Sequence, residues 1–254
     1  MKQFIRKLLL NNIVVNNVAI FFGLDKHLKS SNNYWKKYNI LPNKTHQEVA
    51  GYSHIREVQE AVDKTHEILK LYTAKHLKKD AGVLDIGCGP GLYLMDFEKT
   101  IKLYGIDIND KMLELARKNN PNAIFYEGEF LSQKIDIKFN LIYSVGVMQY
   151  ISRGEIIRFF DKIYDLLENN GIVFISYPHA LSAIDLSFPD INYINYSPSF
   201  LNEILSKKFT LLQNKHVVDD RSITDYDKTP YKPSIASMDK IYKNSSILVA
   251  QKKN

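Results

Sequence analysis

Cysteine is nearly absent from this sequence, since Cys88 is the only one among 254 residues. A single cysteine excludes an internal disulfide and fits a reducing compartment, so we expect a cytoplasmic protein. Long apolar runs are also missing, because no stretch reaches about 18 apolar residues without interruption. We therefore expect no transmembrane segment.

Residues 1–24 are apolar but are interrupted by polar side chains, and no small-residue cleavage site follows them. We expect no signal peptide there. The polar positions are spread around a helical wheel, which disfavours a helix lying on a membrane surface. We interpret this stretch as a segment that packs within the protein or joins two copies as a homodimer.

Acidic residues are fewer than basic ones, with 28 Asp and Glu against 34 Lys and Arg and a net charge of +6. Such a balance is found in proteins that bind nucleic acid or another acidic substrate. The lysines are scattered rather than clustered, which favours a general compositional bias instead. We therefore disfavour nucleic acid as a partner.

Hydrophobic periodicity divides the chain into two parts. Over residues 53–78, apolar residues recur at helical spacing and predict one long amphipathic helix. From residue 80 onward, strand and helix patterns alternate, which predicts a parallel sheet with helices on both faces. We therefore predict a helical N-terminal cap over residues 1–79 and an α/β domain over residues 80–254.

A glycine-rich turn follows the first predicted strand of that domain. Residues 83–86 form an apolar strand that contains Asp85, and Gly87, Gly89 and Gly91 follow with G-x-G-x-G spacing. Glycine lets the backbone approach a ligand where a Cβ atom would block it. Such turns usually hold phosphates on free N–H groups, but a carboxylate at this position repels a pyrophosphate. The motif favours a ligand that carries an ammonium group and a nucleoside.

A second acid ends the next predicted strand. Asp107 lies about twenty positions after Asp85, near the offset at which nucleotide-binding α/β folds place a carboxylate on ribose hydroxyls. Asn109 or Asp110 can cap the helix that follows, because both side chains accept hydrogen bonds from free backbone N–H groups. The two acids therefore predict a nucleoside site at the ends of adjacent strands.

These residues resemble motif I of the class I S-adenosylmethionine (SAM) dependent methyltransferases, and the resemblance continues in chain order. It covers residues 80 to about 178 well and the C-terminal part loosely. The matching segments after the glycine turn are 103–107, 123–130, 139–144 and 169–177. The resemblance implies a Rossmann-like, seven-stranded, mostly parallel sheet whose last strands form an antiparallel hairpin. It also implies SAM as cofactor and S-adenosylhomocysteine (SAH) as product.

The resemblance assigns roles to three acids. It implies that Asp107 binds the ribose, that Glu129 accepts from the adenine amine, and that Asp85 faces the methionine ammonium. Cys88 is then a small residue beside the backbone rather than a nucleophile. The further residues expected around the cofactor are Gly87, Gly89, Gly91, Ile108, Met112, Gly128, Phe130, Ser144, Val145 and Gln149.

The catalytic residues are harder to predict, because methyl transfer from a sulfonium needs mainly positioning and, for a hydroxyl acceptor, removal of a proton. The candidates for that proton transfer are His179, Tyr150 and His54. Residues 34–38 combine aromatic and cationic side chains, which is typical of either a lid or a packed helix. The long segment 179–197 is a further candidate wall of the acceptor pocket.

Several family variants are disfavoured. Residues 144–147 lack the Asn/Asp-Pro-Pro-Tyr/Phe pattern of base-directed amino methyltransferases, and no acid ends the fourth strand to hold a metal. We therefore predict metal-independent methylation of a small polar metabolite, at oxygen rather than nitrogen, with a sugar- or phosphate-bearing acceptor among the options. The alternatives are an RNA or protein methyltransferase, a nicotinamide-dependent dehydrogenase and a non-catalytic SAM-binding partner protein.

Overall fold

The computed structural model describes residues 35–37, 56–178, 194, 196, 198–216 and 245–254. The helices after residue 55 are α1 (Arg56–His76), α2 (Asp110–Asn119), α3 (Ile156–Leu166) and α4 (Pro198–Leu205). The strands are β1 (Gly82–Ile86), β2 (Lys102–Asp107), β3 (Ile124–Glu127), β4 (Phe139–Val145), β5 (Leu167–Pro178), β6 (Phe209–His216) and β7 (Ser245–Lys252). Short 3₁₀ turns occupy Tyr93–Asp96 and Met148–Tyr150.

The strands form one seven-stranded sheet in the order β3-β2-β1-β4-β5-β7-β6. Strands β1 to β5 run parallel, whereas β7 runs antiparallel to both of its neighbours. This confirms the predicted sheet and its C-terminal hairpin. The strand order reverses between β1 and β4, and ligands of open α/β sheets bind beyond the carboxyl ends of strands at such a reversal.

Both faces of the sheet are covered by helices, as predicted. Helices α3 and α4 pack on one face, where Phe159 and Ile163 are fully buried. Helices α1 and α2 pack on the other, where Leu69 and Leu113 are buried. Each of these side chains contributes roughly 1.5–3 kcal/mol by leaving water. Packing of the helices on both faces thus stabilises the sheet, and the sheet in turn positions the loops at the carboxyl ends of its strands.

The start of α3 differs from the sequence prediction. The pattern Ser152-x-x-Glu155 predicts a capping box, yet the helix begins at Ile156 and receives no side-chain cap. Instead the Ser152 hydroxyl donates to the Glu155 carboxylate at 2.6 Å. The two side chains satisfy each other, so neither reaches the backbone N–H groups of the first turn.

The start of β5 also differs. The sequence Asn169-Asn170-Gly171 predicts a turn before a strand that starts at Ile172, but these residues lie within β5, at a register shift against β4. Asn170 has a φ of 61°, in the left-handed region that asparagine tolerates. The turn residues therefore form an irregularity inside a longer strand.

Within the described ranges, no helix is long and apolar enough to cross a membrane.

Candidate functional site

The glycine turn after β1 folds over the end of β2. The N–H groups of Gly87 and Cys88 both donate to the Ile106 carbonyl, at 2.7 and 3.0 Å. Gly87 has a φ of 73°, and a Cβ atom there would lie 2.2 Å from Cγ2 of Val147. Gly89 has a φ of 51°, but a Cβ atom there would meet no described residue within 4 Å. Gly87 is therefore required by packing, whereas Gly89 leaves open space beside the backbone.

Asp107 lies at the carboxyl end of β2 and is joined to this turn. One carboxylate oxygen accepts from the Gly89 N–H at 2.8 Å, and the other accepts from the Asn109 N–H at 2.9 Å. Burial raises the pKa of Asp107, and the backbone donors counteract that shift. The carboxylate is fixed in orientation and retains lone pairs, since each oxygen can accept more than one hydrogen bond.

Asp85 is the most deeply buried acid of the site, with 3% of its surface exposed. Burial raises its pKa well above the ordinary value, and the charge of Asp107 raises it further. Tyr143 is its register partner on β4, and the Tyr143 hydroxyl favours the charged carboxylate. Among the described residues this hydroxyl makes no hydrogen bond of regular geometry. A cationic group beside Asp85 would offset the cost of its burial.

Cys88 is buried between these acids. Burial and the charges of Asp85 and Asp107 raise the pKa of its thiol well above the ordinary value. A thiol of this kind is a poor nucleophile, because the thiolate is the reactive form. Its Sγ also lies 2.8 Å from the position that a Cβ atom on Gly105 would take. The placement agrees with the interpretation of Cys88 as a small packing residue.

The segment after β3 lies beside Asp107. The Gly128 N–H donates to the Asp107 carbonyl at 2.9 Å, which ties the ends of β2 and β3 together. Glu129 follows with an exposed side chain. Phe130 is buried, and its ring packs against Phe159 of α3 with centroids 5.5 Å apart. This ring lies in the core, so Glu129 is the residue of the segment that is available to a ligand.

The residues at the end of β4 and just after it include packing residues and one side chain with an unused acceptor. Ser144 is fully buried, and its hydroxyl donates to the Ile86 carbonyl at 2.9 Å, so it joins β4 to β1. Val145 is half-buried and packs against the α1 and α2 side of the core. Gln149 donates from its amide to the Gly146 carbonyl, and its Oε1 finds no donor among the described residues. The Oε1 atom of Gln149 is therefore available to accept a hydrogen bond from a ligand.

Other predicted cofactor residues are placed mainly by α2. A Cβ atom on Gly91 would lie 2.6 Å from the Asn120 amide nitrogen, and that amide donates to the Gly91 carbonyl. Met112 is buried in the first turn of α2, whereas Ile108 is half-buried just before it. Gly91 and Met112 therefore have packing roles that explain their positions.

A segment of the N-terminal part lies against this site. Residues 35–37 are helical, and the carbonyl of Trp35 accepts from the Asn109 side-chain amide at 2.7 Å. The ring of Trp35 meets Tyr150 edge to face, with centroids 5.9 Å apart. Of the two predicted capping residues, Asn109 and Asp110, Asn109 caps α2 through its amide oxygen. The sequence pattern did not indicate its second bond, which spans more than seventy positions.

Two of the candidate catalytic residues, His54 and His179, lie outside the described residues, as does most of the predicted cap. Tyr150 is described and stands at the site beside Trp35. Within the described part of the chain, no group of three or more His, Cys, Asp or Glu side chains is arranged to hold a metal. Tyr143 and Val147 were not among the predicted residues, because their roles depend on the register of β1 against β4.

Comparison with known proteins agrees with this geometry. Residues 83–171 match the family model described as a methyltransferase domain. Trans-aconitate 2-methyltransferase of Rhizobium rhizogenes is 29% identical over 105 residues, which cover 39% of this chain and 39% of that protein. Malonyl-[acyl-carrier protein] O-methyltransferase 1 of Ilyobacter polytropus is 27% identical over 152 residues, covering 53% of this chain and 55% of that protein. The chain thus aligns with less than two thirds of either relative.

The fold has counterparts among solved structures. The N-methyltransferase NodS from Bradyrhizobium japonicum WM9, in complex with SAH, superposes with a TM-score of 0.60 and 12% identity. The match covers 89% of this chain and 98% of that one. At this level of identity the similarity concerns the fold.

Proposed function

We propose that this chain, which carries a class I SAM-dependent methyltransferase domain, methylates an oxygen atom of a small polar metabolite. The observation that carries the proposal is the convergence of the Gly89 N–H and the Asp85 and Asp107 carboxylates at the carboxyl ends of β1 and β2. Bound SAM supplies a methyl group on a positively charged sulfonium. The protein then has to hold an acceptor oxygen in line with that group.

Three acids are proposed to hold the cofactor. Asp107 uses the lone pairs left by its two backbone bonds for the ribose hydroxyls. Asp85 faces the ammonium group, and Glu129 accepts from the adenine amine. Two observations support the fit: the buried Asp85 carboxylate is favoured by a cation, and the open side of Gly89 leaves room beside the backbone.

A carboxylate is the acceptor that we propose within the class of polar oxygen acceptors. A carboxylate is already charged at neutral pH, so its methylation needs no general base. The names of two relatives, which act on trans-aconitate and on malonyl-[acyl-carrier protein], support an acidic acceptor. Sugar- and phosphate-bearing acceptors remain in the class to be tested.

The proposal is tested by measuring SAH release from SAM with a panel of acceptors. The panel contains small dicarboxylates and tricarboxylates, sugar phosphates, amines and structured RNA. We expect turnover with a carboxylate acceptor. The thioether SAH and the methyl ester of the acceptor should form in equal amounts. Turnover with amines alone contradicts oxygen as the acceptor, and turnover with RNA that falls steeply with salt contradicts the small-molecule class.

We further propose that the reaction needs no divalent metal. The proposal is supported by the residue type that ends β4, since Val145 is not an acid. We expect turnover with the active acceptor to be unchanged by an excess of EDTA. Loss of turnover that magnesium restores would contradict this part of the account.

The N-terminal part, residues 1–79, is proposed to act as a cap over the domain at residues 80–254. The contacts of Trp35 with Asn109 and Tyr150 support this proposal, because the Asn109 N–H is hydrogen-bonded to Asp107. His54, His179 and Tyr150 stay candidates for proton transfer if the acceptor is a hydroxyl. The single cysteine supports a reducing, cytoplasmic setting for the reaction.

A further inference from the structure

We propose that Lys162 of α3 is a positioning residue that holds the turn after β3 in the place where Glu129 can recognise the adenine amine. This inference rests on the proposed function, because it assigns a support to one residue of the cofactor site. Lys162 lies about thirty positions from the turn and is not among the residues that the motifs identify. Its contacts with the turn carry the argument.

The turn is a single helical turn with exposed ends. The Glu129 carbonyl accepts from the N–H groups of Ser132 and Gln133 and from the Ser132 hydroxyl, each at 3.1 Å. No helix continues beyond Gln133, so the later carbonyls of the turn need partners from elsewhere. The Lys162 ammonium donates to the carbonyls of Phe130 and Gln133, each at 2.5 Å. One side chain of α3 therefore completes the hydrogen bonding of the turn.

The same helix also holds the turn through an aromatic ring. The Phe130 ring packs edge to face against Phe159, and the Lys162 ammonium lies 4.9 Å from the Phe130 centroid. A cation over an aromatic face adds attraction when both are partly removed from water. Lys162 is half-buried, and burial lowers its pKa. The ammonium thus bonds to two carbonyls of the turn and also contacts the ring of Phe130.

Glu129 lies between two fixed points. Before it, the Gly128 N–H donates to the Asp107 carbonyl, which joins the turn to the ribose acid. After it, Lys162 and Phe159 join the turn to α3. The Glu129 side chain itself is exposed, and the contacts observed among the described residues hold its backbone. A loose turn would have to be ordered when the ligand binds, which costs free energy of binding.

The test uses two ligands that differ at the adenine amine. SAH has the amine, whereas S-inosylhomocysteine carries a carbonyl oxygen at that position. We expect the full-length chain to bind SAH more tightly. Lys162→Met keeps the apolar stem over Phe130 but removes the hydrogen-bond donors. We expect it to weaken the binding of SAH about tenfold and to leave the affinity for S-inosylhomocysteine nearly unchanged. Lys162→Arg retains donors and should restore most of the preference.

Lys208 provides the matched control. Its ammonium also reaches α3, where it pairs with Asp161 at 2.8 Å and lies 5.2 Å from the Tyr164 ring centroid. It makes no contact with the turn after β3 among those observed. Lys208→Met should therefore leave both dissociation constants unchanged. The unfolding midpoint of each variant is measured alongside, so that binding is compared only between folded proteins.

The outcomes separate this inference from the function on which it rests. If the unaltered chain does not bind SAH, the cofactor assignment fails and Lys162 has no adenine site to support. If it binds both ligands equally, the role of Glu129 fails. If it discriminates but Lys162→Met weakens both ligands in parallel or neither, the positioning role alone is overturned. Should Lys162→Met unfold, Lys162→Leu, which also lacks donors, takes its place, and full discrimination by that variant also overturns the inference.

Discussion

Asp107 is bonded to the backbone of Gly89: its Oδ2 accepts from the Gly89 N–H at 2.8 Å. The acid expected to bind the ribose therefore also fixes the glycine turn that borders the rest of the site. The two predicted motifs, one after β1 and one after β2, are parts of a single structure. A change at either residue should affect both the shape of the turn and the affinity for the cofactor.

Asp107→Ala tests this relationship. We expect SAH binding to weaken by about 1.5–3 kcal/mol, because hydrogen bonds to a charged group are lost. The fold should persist, since Asp107 lies at a strand end rather than within the core. Asp110→Ala is the matched control, because Asp110 is an exposed acid three positions later in α2. A folded Asp107→Ala variant with an unchanged dissociation constant would contradict the ribose assignment.

Asp85→Asn should separate stability from binding. The folded protein raises the pKa of Asp85, so it binds this proton more tightly than the unfolded chain does. The contribution of Asp85 to stability is therefore full below the unfolded pKa of about 3.9 and is lost as pH rises through the raised folded pKa.

The measurement is urea unfolding of both proteins across a pH series without ligand. Relative to Asp85→Asn, the unaltered chain should lose unfolding free energy as pH rises. With SAH present at neutral pH, the unfolding free energy of the unaltered chain should rise relative to that of Asp85→Asn, since the ammonium of SAH favours the carboxylate. A difference between the two proteins that does not change with pH would contradict the burial argument.

Two glycine substitutions should have different consequences. In both Gly87→Ala and Gly89→Ala the left-handed backbone costs roughly 1–2 kcal/mol. Only at Gly87 does the new Cβ atom meet Val147, and overpacking of this kind typically costs about 1–3 kcal/mol more. We expect Gly87→Ala to lower the unfolding free energy further, and Gly89→Ala to weaken SAH binding more than its stability loss accounts for.

Unfolding and binding titrations on both variants check this prediction. Combining Gly87→Ala with Val147→Ala should recover part of the stability, because the double variant removes the atoms that clash. Equal losses of stability at the two positions, with no effect of Gly89→Ala on affinity, would show that the open space beside Gly89 is not a ligand surface.

Trp35→Ala tests the proposed cap. Trp35 contacts Asn109 and Tyr150 at the edge of the site, so its loss should admit water and loosen the acceptor. We expect turnover to fall about tenfold or more and SAH affinity to fall less, since imperfect positioning affects the reacting groups most. Lys37→Ala, at an exposed neighbour, is the control for the cap helix.

Trp35 is also the only tryptophan of the chain, so its fluorescence reports on this contact. SAH should change the emission of the unaltered chain, and Asn109→Ala should reduce that change. Full turnover by Trp35→Ala together with an emission spectrum that SAH does not alter would defeat the cap proposal.

The parts of this account that were predicted from sequence rest on local patterns. The strand before Gly87, the acid at Asp107 and the cap at Asn109 are each determined by residues within a few positions, and the structure contains all three. Regular alternation of strands and helices predicted a parallel sheet with helices on both faces, and the family resemblance implied the seven strands that the structure contains. Local chemistry was misleading at Ser152 and Glu155, where two side chains that can both cap a helix bond to each other instead.

The contacts that sequence analysis did not predict join distant positions. Tyr143 meets Asp85 only because β4 pairs with β1 in one particular register, and Trp35 meets Asn109 only after the N-terminal part returns to the sheet. Lys162 reaches the turn after β3 from the middle of α3, where its position in an amphipathic helix is typical of a solvated lysine. Such contacts depend on packing between elements, which no local pattern specifies.

The central claim is that the site beside Asp85, Gly89 and Asp107 binds the nucleoside of SAM rather than a dinucleotide. Isothermal titration calorimetry of the full-length chain, with SAH and separately with NAD, tests it most directly. The account predicts a saturable heat of binding for SAH and none for NAD, because a buried carboxylate beside the glycine turn favours an ammonium and repels a pyrophosphate. Saturable binding of NAD with no response to SAH would contradict it.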